Sequence, residues 1–569
     1  MSAQWDIAPP PPREYVDALR ALHPLTAAVL HSRGYAEPER ALAFVQGKFD
    51  PVDPFALKDM DRAVERITAA INGGEAIAIY GDYDCDGVTS CALLMRALGS
   101  LGARVRVYLP NRFDEGYGLN SAALDKLKAE GVSLVVTVDC GARAAREADH
   151  ARAIGLDLII TDHHELDLDR LPAAVALVNP KQPGCAYPFK LLAGVGVTFR
   201  LAQALLRTLK RPGAVTERSL LDLVALGTVA DVVSMTGENR LLVRAGLDVI
   251  NTAPVPGIVA LMRSAGVKLG TVDAGKIGFM LAPRLNAAGR LDDARAAYEL
   301  LICADPVEAE TLAAQLSLQN EQRQLLTAAI ADDAEQRALV PDADTPLLFA
   351  AHVDYNAGVI GLAAARLVER FYRPAIVVSI SDGEARGSCR SVHGFHMTQA
   401  LDQCAMLLSK HGGHAAAAGF TLPAARVEAL RAALTGIARG AQPESGWQRV
   451  IKIAAEVELA DVNAKAYAEL CKLEPHGPDN PRPVFASRGA TVVDAKRVGK
   501  SESGIGPHLK LKLRDGRRST WDAMFWRAGD RLEQIGDGAL IDVAFVLDEN
   551  EWNGRRSLQL VVQDFRARE

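Results

Sequence analysis

The sequence predicts an α/β protein in four parts. These are a doubly wound parallel-sheet domain, a long connecting helix, a second, smaller α/β domain and a C-terminal small β-barrel. Three observations carry this. From about residue 60 to 162, short apolar runs alternate with helical segments, the βαβα order of a parallel sheet. Between Pro306 and Pro341 no Gly or Pro interrupts the chain, which permits a helix of about 50 Å. Beyond about residue 450 the apolar spacing changes to period two, as in short strands. The expected limits are a helical leader over 1–55, the sheet domain over 56–300, the connecting helix over 301–341, the second α/β domain over 342–436 and the barrel over 448–569.

In the leader, Pro9 to Pro12 start no helix, and Leu19, Leu22, Leu25 and Val29 then give a helical apolar spacing. Ala76 to Tyr80 is a short apolar run of the kind that forms a buried parallel strand. Strands follow at 104–109, 134–138 and 158–161, separated by helices from Asn120, a cap residue, and through 142–154. Asp305-Pro306-Val307-Glu308 is a helix start, with Asp as cap, Pro at the first position and Glu as the reciprocal capping residue. Pro374 to Ser379 is the clearest strand of the second α/β domain. Gly436 to Gly446, with Pro443 and Ser445, reads as a linker. In the last domain, His508-Leu509-Lys510-Leu511-Lys512-Leu513 alternates into one basic face, and Asn553-Gly554 marks a hairpin turn.

Length and composition bound the function. At 569 residues the chain exceeds one core and divides into two to four domains. A net charge of -6 gives no overall drive toward nucleic acid or membrane, so anion binding must come from local patches. The eight cysteines form no CxxC pair, which argues against zinc and for reduced thiols in a cytosol. The N-terminus lacks the basic start and apolar core of a signal peptide, and no apolar run spans a bilayer. A cytoplasmic protein with no membrane association is expected.

The chemistry gathers at strand ends. Gly81-Asp82-Tyr83-Asp84-Cys85-Asp86-Gly87 follows the first strand and precedes a helix, the edge where open α/β sheets bind ligands. Three carboxylates this close require a divalent cation or shifted pKa values. An EF-hand loop would need Glu at its twelfth position, where this chain has Leu93. Two further strands end in Asp139 and in Asp162-His163-His164, and Asp231 lies inside an apolar stretch. One such Asp is usually a cap; three strand ends converging on one edge are not explained that way. In the second domain, Gly387-Ser388-Cys389-Arg390-Ser391 and Gly412-Gly413-His414 to Gly419 offer hydroxyls, a guanidinium and backbone N–H groups suited to phosphate. Lys496, Arg497, Lys500, Lys510, Lys512, Arg514, Arg517 and Arg518 lie near Trp521, Phe525 and Trp526. Such a barrel either binds single-stranded nucleic acid or presents a solvated basic face over an aromatic core.

The ordered set Asp84-x-Asp86, Asp139, Asp162-His163-His164 and Asp231 resembles the DHH phosphoesterase superfamily. With Pro110-Asn111-Arg112-Phe113, Gly116 to Asn120 and Arg284-Leu285-Asn286-Ala287-Ala288-Gly289-Arg290 it is similar to the RecJ family of single-stranded-DNA exonucleases. The resemblance runs from about residue 40 to the C-terminus. It implies DHH, DHHA1 and OB-like domains, and hydrolysis of single-stranded DNA in the 5′→3′ direction to 5′-mononucleotides with two ions, Mn²⁺ or Mg²⁺. It implies Asp84, Asp86, Asp139, His163 and Asp231 as metal ligands, Asp139 bridging, with Asp82 close by and His164 as acid or phosphate contact. Arg112, Arg290, Ser388 and Arg390 would hold phosphates and Tyr117 would stack on a base; Asn286, Gly412, Gly413 and His414 complete the substrate set. A monomer working in recombination and repair, with single-strand-binding protein and a RecQ-like helicase as partners, is the family expectation. The chain departs at Tyr355-Asn356, where the family commonly carries an aromatic-His pair. The alternatives are a DHH phosphodiesterase of short oligonucleotides and a non-catalytic DNA-binding scaffold. The basic barrel argues against the first and the full acidic set against the second.

Overall fold

The computed structural model describes residues 3–47, 52–112, 114–116, 118–340, 342–499, 506–516, 519–536, 538–552 and 554–568. Tyr117, Lys500, Arg517, Arg518 and Asn553 therefore lie outside the described residues. The chain forms two compact units: residues 49–329 with 475–481, and residues 1–48, 330–474 and 482–569.

The unit built on 49–329 is centred on a five-stranded sheet whose strands are all parallel. In chain order they are Ala76–Gly81, Arg104–Tyr108, Val132–Val138, Asp157–Thr161 and Ala176–Val178. Their spatial order is 2-1-3-4-5. The strand order therefore reverses between the first and third strands, whose carboxyl ends carry Asp82 and Asp139. That crevice is where a doubly wound sheet binds its ligand. The first strand is buried along its whole length, as its unbroken apolar run requires. Helices Met60–Gly73, Cys85–Ser100 and Gly194–Leu209 bury Ile67, Leu93, Leu94, Leu201 and Leu205 in the core on one face. Leu124, Leu127 and Ala148 pack on the other.

The helix Pro306–Leu339 has 34 residues, and its Asp305 cap accepts from the amides of Val307 and Glu308. The division between the units falls within it, at 329/330.

The other unit holds two sheets and a pair of strands. The mixed five-stranded sheet runs Lys410–Gly413, Ala417–Pro423, Glu384–Arg390, Ala375–Ser381, Leu348–His352, with only the last two parallel to each other. The helix Val427–Ala441 packs Leu430 and Leu434 into its core. The linker read at Gly436 to Gly446 is thus corrected: helix continues through Gly436 and Gly440, because the burial of Leu434 and Ala438 outweighs glycine's poor propensity.

The C-terminal barrel has five strands, Phe485–Val498, His508–Arg514, Thr520–Phe525, Arg555–Ala567 and Leu540–Trp552, closed by pairing of the first with the last. Leu509, Leu511 and Leu513 point inward while Lys512 and Arg514 are exposed. The leader is corrected in part. Gln4–Ile7 is a strand, parallel to Val450–Ile453, and the helical spacing of Leu19, Leu22, Leu25 and Val29 is broken by a turn: Leu25 and Val29 lie in the helix Pro24–Ser32, whereas Leu19 and Leu22 lie between it and the helix Arg13–Ala18. Leu19, Val29 and Leu30 complete the barrel core beside Leu459 and Leu473. All eight cysteines are free thiols. Among the described residues no single helix is long and apolar enough to cross a membrane.

Candidate active site

The acidic loop is shaped by its own carboxylates. Asp84 caps the helix Cys85–Ser100: its Oδ1 accepts from the amides of Asp86 at 2.9 Å and Gly87 at 3.1 Å. Asp82 Oδ1 accepts from Tyr83 N at 2.8 Å. Asn286 Oδ1 accepts from Cys85 N at 2.8 Å. Read from the sequence as a substrate contact, Asn286 spends its carbonyl on fixing the turn between Asp84 and Asp86.

Asp86 is buried and lies at the N-terminus of the helix Gly194–Leu209. Its Oδ2 accepts from Gly194 N at 2.7 Å and its Oδ1 from Val195 N at 2.9 Å. Two amides and the helix dipole favour its charged form. Burial and the charge of Asp84 outweigh them and push its pKa up to about 7.

Asp139 ends the third strand in the left-handed region, φ 60°, which Asp tolerates better than most residues. A Cβ on Gly194 would meet Asp139 Oδ1 and stand 2.7 Å from its Cβ and Cγ. A Cβ on Gly227, in the helix Leu221–Ala230, would stand 2.8 Å from Asp86 Oδ1. Backbone approaches the two carboxylates because these positions have no side chain. Sequence reasoning missed this cradle; the Gly194-Val195-Gly196 run at a helix start was its one signal.

Asp231 follows the helix Leu221–Ala230, so its place is a helix end rather than a strand end. Its Oδ2 lies 3.5 Å from His163 Nε2, and His163 Nε2 lies 3.2 Å from Asp139 Oδ1. These three atoms are buried and have no hydrogen-bond partner among the described residues. Burial, the charge of His164 and other neighbours depress His163 to about 4, so at neutral pH its ring is uncharged and suited to ligate. Burial and the surrounding carboxylates push Asp231 up to about 9, and Asp82 and Asp139 well above the usual carboxylate range.

Ligand atoms of Asp82, Asp84 and Asp139 lie within 4.8 Å of one another, as do those of Asp86, His163 and Asp231. Five carboxylates and one imidazole, with buried oxygens of Asp139 and Asp231 left unpartnered among the described residues, form a set that a hard divalent cation satisfies. Asp162 plays another part. Its Oδ1 accepts from the amides of His163 at 2.7 Å and His164 at 3.1 Å and pairs with His164 Nδ1 at 2.7 Å, and its Oδ2 accepts from Ala142 N. Against the opposing effect of burial, this pairing lowers Asp162 and raises His164. Asp162 orients the two histidines.

Arg112 stacks on the Tyr83 ring, its Cζ 4.7 Å from the centroid. Arg290 lies in the helix Ala282–Leu291, one residue after Gly289, whose missing side chain lets that helix approach the Tyr83 carbonyl.

In the other unit, Ser388 and Arg390 lie on one face of the Glu384–Arg390 strand. Arg390 Nη1 donates to Cys389 O at 2.8 Å and lies 3.4 Å from Ser388 Oγ. A Cβ on Gly361, in the first turn of the helix Ile360–Phe371, would stand 2.8 Å from Ser388 Oγ and 3.1 Å from Arg390 Nη2. A guanidinium, a hydroxyl and a helix start thus meet. The expected free backbone N–H groups are corrected: the strand pairs on both sides, with Ala375–Ser381 and with Ala417–Pro423. Gly412 and Gly413 pair with Gly419 and Ala418, and His414 is exposed at that hairpin's tip. In the barrel, Trp521 and Phe525 pack on the core, whereas Trp526 is half exposed beside His508.

Fold and ligand set define a DHH-class protein. Residues 76–228 match the DHH family, N-terminal domain, residues 344–440 the DHHA1 domain and residues 453–564 the RecJ OB domain. The chain is 40% identical over 566 residues to the single-stranded-DNA-specific exonuclease RecJ of Bacillus subtilis (strain 168), covering 99% of this chain and 70% of that protein. It is similar to the crystal structure of RecJ in complex with Mn²⁺ from Thermus thermophilus, with TM-score 0.83, 30% identity and coverage of 100% and 80%. The Mg²⁺ complex from the same organism gives TM-score 0.78, 29% identity and coverage of 100% and 79%. The chain belongs to the RecJ family.

Proposed function

We propose that the chain is a metal-dependent single-stranded-DNA exonuclease that releases 5′-mononucleotides in the 5′→3′ direction. The observation that carries it is the convergence of Asp139 Oδ1, His163 Nε2 and Asp231 Oδ2, buried and without hydrogen-bond partners among the described residues, beside further carboxylates at the switch point of the sheet. Asp84, Asp86, Asp139, His163 and Asp231 hold two divalent ions, Mn²⁺ or Mg²⁺, with Asp139 shared between them and Asp82 close by. Such ions supply an activated water and charge stabilisation for phosphodiester hydrolysis. Asp162 accepts from His164 Nδ1 and favours the doubly protonated ring, which carries a second proton on Nε2 for the phosphate or the leaving oxygen. Arg112, Arg290, Ser388 and Arg390 bind phosphates. The barrel face of Lys510, Lys512 and Arg514 adds affinity for long strands.

The test is cleavage of 5′-labelled single-stranded and duplex DNA with Mn²⁺, with and without chelator. Chelator-sensitive release of mononucleotides from the 5′ end of the single strand is expected. Binding without cleavage would make the chain a scaffold instead.

A further inference from the structure

The loop that follows Asp231 is held by residues far away in the chain. Val232 takes φ 59°, a costly conformation for a β-branched residue, so the turn after Asp231 needs support from its surroundings. Two groups hold its far end. Buried Asn239 donates from Nδ2 to Ser234 O at 3.0 Å and to Leu191 O at 2.6 Å. The amide of buried Met235 donates to Pro478 O at 2.8 Å.

Pro478 belongs to Pro475-His476-Gly477-Pro478-Asp479-Asn480-Pro481. This segment is flanked by Leu473 and Phe485, both in the barrel core, yet it belongs to the unit that carries the acidic cluster. It is closed on itself. Gly477 and Asn480 exchange two backbone hydrogen bonds of 3.1 Å, and Asn480 Nδ2 donates to Pro475 O at 2.8 Å. Three prolines limit its backbone further. Gly477 lies against Met235: a Cβ there would stand 2.9 Å from Met235 Cβ. The turn presents a rigid carbonyl and a bare backbone to the residue four positions after Asp231.

We propose that the 475–481 turn is a positioning element for Asp231, keeping its loop in the metal-binding conformation; this rests on the reading of Asp231 as a metal ligand. Partners that orient ligands typically matter about 10–100-fold for metal affinity. The effect should therefore appear in metal binding before DNA binding.

The experiment uses the full chain, metal-free, titrated with Mn²⁺ by calorimetry. The variants are Asn480→Ala, Gly477→Ala and, as reference, Asp231→Ala. Folding is checked by circular dichroism, and metal-free affinity for a single-stranded oligonucleotide is measured alongside. Asn480→Ala and Gly477→Ala are expected to weaken Mn²⁺ binding about tenfold, with oligonucleotide affinity within about twofold and turnover restored by excess Mn²⁺. Using two variants keeps the test open should one fail to fold. If Asp231→Ala weakens Mn²⁺ binding and the turn variants do not, the turn has no positioning role. If Asp231→Ala itself binds Mn²⁺ as the wild type does, the ligand assignment falls, and the proposal with it.

Discussion

Gly194→Ala tests the cradle around the acidic cluster most directly. Gly194 opens a helix and its φ is not in the left-handed region, so Ala meets no backbone penalty there and the cost is one of space. The new methyl would meet Asp139 Oδ1 and stand 2.7 Å from Asp139 Cβ and Cγ. That is roughly 0.7 Å or more inside ordinary carbon contact. Asp139 cannot simply swing away, since its amide donates to Thr161 O at 3.1 Å and its backbone is already left-handed. Gly194 N also donates to Asp86, so a shifted helix end disturbs a second carboxylate. Overpacking of this kind costs about 1–3 kcal/mol of stability. Helix propensity returns at most about 1 kcal/mol. Displacing catalytic groups by about 1 Å costs on the order of a hundredfold in rate. The control is Gly196→Ala, whose Cβ would stand 3.2 Å from Leu192 Cδ2, the end of a side chain that can turn. Melting temperature, Mn²⁺ affinity and turnover on a 5′-phosphorylated oligonucleotide are measured for both. A Gly194→Ala protein with turnover and Mn²⁺ affinity within about threefold of the control would refute the reasoning, since that is under about 1 kcal/mol.

Asp139→Asn keeps the volume and the tolerance for φ 60° but removes the charge. It should abolish turnover with little change in melting temperature or metal-free DNA affinity; substantial residual turnover would exclude Asp139 as an essential ligand. In the metal-free protein, Asp82, Asp86, Asp139 and Asp231 hold protons that the unfolded chain releases near pH 4. Raised acids stabilise the fold while protonated, so with chelator the melting temperature should fall as pH rises from about 4 toward 9. Mn²⁺ should flatten or reverse that slope, because binding displaces those protons; parallel curves with and without Mn²⁺ would count against a metal at these groups. Arg390, half-buried and with its pKa lowered by burial, has no carboxylate partner among the described residues. Arg390→Ala should slow cleavage of 5′-phosphorylated DNA about ten- to a hundredfold, and 5′-hydroxyl DNA less; equal losses would reduce it to a general phosphate clamp. Lys510→Glu with Lys512→Glu should weaken binding to long strands and flatten its salt dependence, with single-nucleotide release from short ones little changed. Unaltered salt dependence would leave the barrel face as solvated surface.

Local signals were legible and distant ones were not. The strands ending at Asp82, Asp139 and Asp162 could be read because an apolar run followed by carboxylate is a contiguous pattern. The long helix could be read from one cap and an absence of breakers. The pairing of Gln4–Ile7 with Val450–Ile453 could not, because a four-residue strand is specified by a partner at the other end of the chain. Gly387 suggested a phosphate loop, but its hydrogen replaces a side chain so that Phe420 can cross the neighbouring strand. Asn286 and Asp162 carry residue types that suit ligands, yet both are occupied with holding other site residues. Residue type alone cannot separate a group that binds from one that orients.

The dispersal of the acid-bearing unit along the chain also sets the order in which it can be completed during synthesis. Its main body is made by residue 329, but its last piece arrives only with residues 475–481. The intervening stretch, residues 330–474, takes roughly 7–30 s at about 5–20 residues per second. Throughout that interval the nascent chain has all of its carboxylates and lacks the Pro478 carbonyl that the Met235 amide binds. A chain ended by a premature stop before residue 475 stays in that condition permanently.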